Sequence, residues 1–396
     1  MKRLILLGAA LMLACLPAQA QEPVKLKVGM VSAVDMLALP VALERGFFEK
    51  RGLDATIARP YATGVDALNA LQAGETDIVQ VGVPMIGAVL RGMDLVALGN
   101  FSGNPTKTGS DATMAVIARE GSGIVKGDLA SLKGKKIATS FGTINHLYIL
   151  ALLEKAGLKP DDVTLVNTPP PDMTVALLAK GIDAFAGWDP WPIIATKDVP
   201  GAFEVVRGGN AIAYLGFVVG LRPWVEKNPE ITEKFLAATS EADQWMRKNP
   251  KQAAQIGTRW IPGLKAEVAE AAMEFNVQQL DRRLSANSYR ALWSAQDRLE
   301  RLGVLKTTFD SICCCGALHE ARRLTRLEML EGKGCRLAVE LGDFVDDAYG
   351  IFIATLAHQV LGRLVNGEKD EADQEHEECD AAHGSNKVAP TAVLLA

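Results

Sequence analysis

Between Gln21 and Asp310 the sequence has no cysteine, which excludes disulfide and thiol chemistry from that stretch. Histidine is nearly absent there too, with His146 alone. Tryptophan is missing after Trp293, although the chain has six in all. The formal net charge is −5 and no basic stripe is present, which argues against nucleic acid as a partner. No P-loop, zincin helix or nucleophile elbow occurs, so the common enzyme signatures are lacking. Long hydrophobic runs are also scarce. The apolar stretch Leu4 to Leu13 is too short to span a bilayer.

That stretch reads instead as part of an export signal. Lys2 and Arg3 precede it, and Ala18-Gln19-Ala20 forms an A-x-A cleavage site, so residues 1–20 are expected to be removed after Ala20. A lipoprotein cleaved before Cys15 is the alternative, but Met12-Leu13-Ala14 is a poor lipidation box. Five of the six cysteines lie at 313, 314, 315, 335 and 379, and four of the five histidines follow residue 318. Composition therefore breaks near residue 311. The run Cys313-Cys314-Cys315 is a poor chelate, because adjacent side chains splay apart and zinc pairs are usually spaced C-x₂₋₄-C. No metal or cofactor is expected. Residues 311–396 read as an atypical tail, disordered or translated in a changed frame. A membrane anchor at 348–365 and a partner-binding extension are the other readings.

From Lys25 onward, β-like runs alternate with helical ones. "LKVGMV" (26–31), "DATIAR", "DIVQVG", "DLVALG", "TMAVIAR", "KKIATS", "TLVN" and "DAFAGW" read as strands. "LPVALERGFFEKRG" (39–52) reads as a helix closing on Gly52, and helices are expected at 144–157 and 173–180. "AIAYLGFVVGL" (211–221) has the length of a buried strand, after which the chain turns helical. The alternation predicts an α/β protein with largely parallel sheets. A weak internal echo links "LNALQAGETDIVQVGVP" (68–84) with "VALLAKGIDAFAGWDP" (175–190). Ligands in such sheets sit beyond the carboxyl ends of the strands. The echo therefore points to one cleft bordered by Val83-Pro84 and Trp188-Asp189-Pro190.

Four blocks carry a family resemblance: "ALERGFFEKRGLDATI" (42–57), "LQAGETDIVQVG" (71–82), "LKGKKIATSFGTINH" (132–146) and "LAKGIDAFAGWDPW" (178–191). In this order they resemble the nitrate/sulfonate/taurine group of substrate-binding proteins that serve bacterial ABC importers. The resemblance covers residues 25–308 or so. It implies the type II periplasmic binding fold, with two doubly wound lobes and a ligand cleft between them. Lobe 1 would be 25–110 plus 215–310, lobe 2 111–214, with crossings near Ser110–Met114 and Ala213–Val218. It also implies a monomeric periplasmic protein that captures a small organic anion, sulfonate- or taurine-like, or nitrate. The cargo would pass to an ABC permease in the inner membrane by hinge closure, without enzymatic chemistry. Two alternatives stay open: binding or synthesis of a thiamine-pyrimidine precursor on the same fold, and a two-lobe sensory module. Thiamine-pyrimidine synthases carry their cysteine run inside the domain, whereas here it follows the last fold helix.

The candidate ligand contacts sit at strand ends. Ser140, Gly142 and Thr143 open a long helix, where free N–H groups and the dipole suit an anion, and His146 lies in its first turn. Trp188 and Trp191 could wall an organic group. Asp189 would repel an anion but could accept from backbone or from an amine; capping a turn is its plainer role. On the other lobe Ser32, Asp35, Val83, Pro84 and Ser102 follow strands, each with turn chemistry as the competing role. The only basic residues near these loops are Arg59 and Lys107, both marginal, so neutral donors and helix ends would carry the ligand's charge.

Overall fold

The computed structural model describes residues 22–103, 111–214, 216–284 and 286–305. The export signal, Cys15, Lys107, the cysteine run and the tail all lie outside these residues.

β1 (Val24–Gly29), β2 (Leu53–Ile57), β3 (Ile78–Val81) and β4 (Leu95–Ser102) form a first sheet together with β10 (Gly216–Leu221), in the order β2-β1-β3-β10-β4. β5 (Met114–Ala118), β6 (Lys136–Thr139), β7 (Thr164–Asn167), β8 (Ala184–Trp188) and β9 (Phe203–Arg207) form a second, in the order β7-β6-β8-β5-β9. One strand in each sheet runs against its neighbours: β10 is antiparallel to β3 and β4, and β5 to β8 and β9. These are the first strands the chain forms after crossing from one sheet to the other. The sheets are thus parallel apart from the strand that enters each from its partner.

Helices α1 (Ala38–Glu44), α2 (Gly64–Gln72) and α3 (Pro84–Leu90) follow the strands of the first sheet. Helices α4 (Ile144–Lys155), α5 (Pro170–Leu178) and α6 (Trp191–Asp198) follow those of the second. After β10 come α7 (Arg222–Lys227), α8 (Pro229–Lys248), α9 (Pro250–Trp260), α10 (Ala266–Asn276) and α11 (Ala286–Arg301). Among the described residues no helix is long and apolar enough to cross a membrane.

Three local expectations need correction. The helix expected over 39–52 ends at Glu44, because the chain turns at Gly46 (φ +69°) to bury Phe47 and Phe48 before Gly52 closes a short 3₁₀ turn. The strand expected from 211 begins only at Gly216. The Asp111 carboxylate accepts the N–H groups of Asn210, Ala211 and Ile212 and holds that segment as a loop. Strand β9 was not anticipated at all; "FEVVR" is half-buried and lacks clean alternation.

Two glycines build one wall of the cleft. A Cβ on Gly103 (φ +92°) would stand 2.1 Å from the Tyr214 carbonyl oxygen, and one on Gly216 would stand 2.6 Å from Phe101 Cζ. Their hydrogens let Tyr214 and Phe101 sit directly against the ends of β4 and β10. At the far end, α11 reaches across to α4: Arg298 Nε lies 3.0 Å and Arg301 Nη1 2.6 Å from the Glu154 carboxylate. Arg298 also donates to the Ala211 carbonyl. The last described helix, expected with the first lobe, therefore ion-pairs with a helix of the second sheet.

Candidate functional site

The carboxyl ends of β1, β3, β4, β6 and β8 converge on a cleft between the two sheets, with a cavity volume of about 30 Å³. From the first sheet come Val31, Ala33 and Met36 after β1, Gly82 and Pro84 after β3, and Phe101 of β4. Gly64 opens α2 on the same side, and Tyr214 arrives just before β10. From the second sheet come Thr143 and Ile144 at the start of α4 and Trp188 at the end of β8. The walls are mostly apolar and aromatic, the usual character of a small-molecule site. Among the described residues no lysine, arginine or histidine lines the cavity.

Of the residues singled out in the sequence, Pro84, Thr143 and Trp188 line the cavity. Val83 sits behind it as the residue preceding α3. Ser32 contributes its carbonyl: Trp188 Nε1 donates to it at 3.4 Å and Trp191 Nε1 at 3.2 Å. Both indoles belong to the second sheet's half and Ser32 to the first. The paired tryptophans thus bridge the cleft, and Trp191 is not part of the lining.

The turn before α4 is mostly self-satisfied. Ser140 Oγ donates to the Thr168 carbonyl at 2.9 Å. Thr143 Oγ1 donates to the Ser140 carbonyl at 2.7 Å and accepts from Asn145 N–H at 3.2 Å. Gly142 takes φ +73°, and its N–H points at His146 Nδ1, 3.4 Å away. The His146 ring stacks on Phe141 at 4.8 Å, away from the lining, and burial pushes its pKa down to about 4. Asn145, beside Thr143, is fully buried, and both polar atoms of its side chain lack a partner.

Two carboxyls lie just behind the walls. Asp189 accepts from Arg207 Nη1 at 3.1 and 3.2 Å and from Asn276 Nδ2 at 3.3 Å. Neither a turn cap nor a backbone donor holds its side chain, contrary to the plainer expectation; a guanidinium does. Arg207 in turn stacks over Phe275 and binds Glu204. Burial raises the Asp189 pKa to about 7 against the pull of Arg207. Asp35 accepts from the Tyr214 hydroxyl at 2.8 Å, and burial raises its pKa to about 6. Ser102 Oγ lies close enough to that carboxyl to lower its pKa slightly, yet meets no partner with hydrogen-bond geometry. The contact is therefore loose. Arg59 is exposed and apart from the cavity.

Sequence reasoning did not single out Arg207, Tyr214, Asn145 or Asn276. Arg207 ends a strand that went unread, and Asn276 lies in a helix that looked ordinary. Asn145 alone offered a signal, as a polar residue within an otherwise apolar first helical turn.

These groups fix a pH dependence. Asp35 and Asp189 titrate at about 6 and about 7 in the fold, against an ordinary 3.8. Between about pH 4 and 7 the folded protein binds more protons than the unfolded chain, so their contribution to stability falls as pH rises. His146, pushed below 6.5, acts in the opposite sense between about pH 4 and 6.5. Above that window only the Asp189 effect remains. The melting temperature should therefore drop between pH 6.5 and 8, and Asp189→Asn should flatten the drop. A melting temperature that climbs over the same range would contradict the assignment.

The NMT1-like family pattern matches residues 19–260. A binding protein of Brucella abortus is 29% identical over 279 residues, covering 69% of this chain and 83% of its own length. An aliphatic sulfonates-binding protein of Escherichia coli K12 is 29% identical over 260 residues, covering 65% and 77%. The nitrate/nitrite binding protein NrtA of Synechocystis is 24% identical over 255 residues, covering 60% and 57%. Among solved structures, the alkanesulfonate-binding protein SsuA of Xanthomonas axonopodis pv. citri bound to MOPS superposes with a TM-score of 0.64 at 24% identity, over 73% of this chain and 96% of that one. The aliphatic sulphonate binding protein SsuA of Escherichia coli gives 0.62 at 25% identity, over 72% and 90%.

Proposed function

The chain belongs to the NMT1-like family, and from that premise we propose that it is an exported solute-binding protein that captures a small organic anion in the cleft for an ABC importer. The observation that carries this reading is the convergence of strand ends from both sheets on one apolar, aromatic cavity bridged by Trp188 and Trp191. Relatives named for sulfonate and nitrate binding support the solute class. The described residues of 25–103 and 216–284 make one lobe and those of 111–214 the other, with α11 strapping the first to the second. The anionic end of the ligand sits at the N-terminus of α4, beside Thr143 and the unpartnered Asn145 amide. The helix dipole and the unpartnered Asn145 side chain favour negative charge there without a formal cation. The permease of the importer and a periplasmic location belong to the same reading.

A thermal-shift scan of sulfonates, nitrate and pyrimidines tests it. A true ligand at about 100 times its Kd adds about 2.7 kcal/mol of stability. At least one sulfonate is expected to raise the melting temperature and be recovered unchanged. Chemical turnover of the added compound, or a response only to pyrimidines, would replace this reading with one of its alternatives.

A further inference from the structure

One seam between the two halves of the molecule runs past Asp189. Residues 32–34, after β1, and Phe275-Asn276, at the end of α10, come from the first sheet's side, while Asp189 and Arg207 come from the second's. Beside the two indoles on the Ser32 carbonyl, the Val34 N–H donates to the Asp189 carbonyl at 3.3 Å. Arg207 stands over the Phe275 ring, 4.7 Å from its centroid, and Asn276 Nδ2 donates to Asp189 Oδ2 at 3.3 Å. Asp189 therefore meets the opposite half through both backbone and side chain, and the residue before it, Trp188, lines the cavity.

Among the described residues, the other charged contacts across the halves are open to water. Lys265 and Asp198 pair at 2.9 Å with side chains 56% and 41% exposed, and Glu154 is 38% exposed where Arg298 and Arg301 reach it. Solvent weakens such pairs. Asn276 and Asp189 are buried, so no water replaces their bond, and its acceptor carries charge. The amide also suits its place. Arg207 already faces the carboxylate, so a neutral donor adds a bond without adding charge. One Nδ2 hydrogen is held by the Ala272 carbonyl, one turn back in α10, at 2.8 Å. The other is left for the opposite half.

We propose that Asn276 is a positioning residue for ligand capture: acting through Asp189, it holds the half that carries α10 against the loop that carries Trp188 and keeps the two cavity walls in register. Asn276 is not part of the lining and touches no ligand itself. The inference rests on the solute-binding reading above. A site assembled for only part of the time binds with affinity reduced in the same proportion. Loss of the Asn276 amide should therefore weaken capture although no ligand contact is removed.

Hydrogen exchange of the full chain, followed by mass spectrometry, tests this without a ligand. Asn276→Ala should speed exchange about tenfold in peptides 31–37 and 188–194, on the two sides of the seam, and leave β3 (Ile78–Val81) unchanged. Lys265→Ala, which removes an exposed pair between the same halves, should stay within about twofold of the parent. Calorimetric titration with ethanesulfonate gives the second readout: about tenfold weaker binding in Asn276→Ala, and little change in Lys265→Ala. Equal speeding in β3 would mean general destabilisation and overturns the proposal. So does an Asn276→Ala variant with unchanged exchange across the seam, or a Lys265→Ala variant that loosens it as much. If the unaltered protein does not bind ethanesulfonate, the sulfonate reading falls, and the exchange comparison still decides the role of Asn276. Should Asn276→Ala not fold, Asn276→Ser, too short to reach Asp189, takes its place. Unprotected amides in 31–37 of the unaltered protein overturn the proposal whether or not either variant folds.

Discussion

Trp188→Ala should weaken ligand binding about thirtyfold, or about 2 kcal/mol, and lower the melting temperature as well. The two effects have separate causes. The indole lines the cavity, so truncation removes one aromatic wall from the ligand. The same ring is only 5% exposed and donates to the Ser32 carbonyl, so truncation also opens a cavity in packed structure. Buried tryptophan to alanine costs about 3–5 kcal/mol. Trp188→Phe separates the causes by keeping most of the wall and losing the N–H. Trp191→Ala is the internal control: it loses the bond to Ser32 without removing a lining group, so stability should suffer more than affinity. If Trp188→Ala binds ligand as well as the parent protein, the cavity is not the site.

Arg207→Ala should be the most damaging change away from the cavity lining, costing about 3–5 kcal/mol. The loss exceeds that of an ordinary ion pair because Asp189 stays behind, 1% exposed, with only the Asn276 amide to face it. For a chain of this size the melting temperature should fall by about 5–8 °C. Arg207→Ala combined with Asp189→Asn should recover much of the loss, since the stranded charge disappears with the carboxylate. A single Arg207→Ala variant that melts like the parent would mean that Asp189 is already neutral in the fold. The rise of its pKa to about 7 makes pH 8 the decisive condition.

Much of the architecture follows from local pattern. Alternation of short apolar runs with amphipathic ones, punctuated by Gly52, Gly74 and Gly157 at positive φ, marks most strands and helices of both sheets. The echo between 68–84 and 175–190 puts Pro84 and Trp188 on one cleft, because equivalent βα units present equivalent loops at strand ends. The four sequence blocks added the family. Other features were not legible. Tyr214 sat inside a segment that looked like strand, and only the Asp111 carboxylate, holding the loop that precedes it, takes it out of β10.

What the sequence by itself determined is therefore the set of elements, their α/β class, and which loops end on the carboxyl side of their strands, since periodicity and turn chemistry act over a few residues. What only the tertiary structure decided is who meets whom across the chain. The reversed strand β5 lies between β8 and β9 and so brings Arg207 to Asp189. The Ser32 carbonyl becomes the shared acceptor of two indoles more than 150 residues away. Asp35 takes the hydroxyl of Tyr214, 179 residues away, as its side-chain partner. Such pairings depend on sheet order and on close approaches of the kind Gly103 and Gly216 permit, and no local pattern encodes them, because the energy that selects them is gained only when distant segments bury one another.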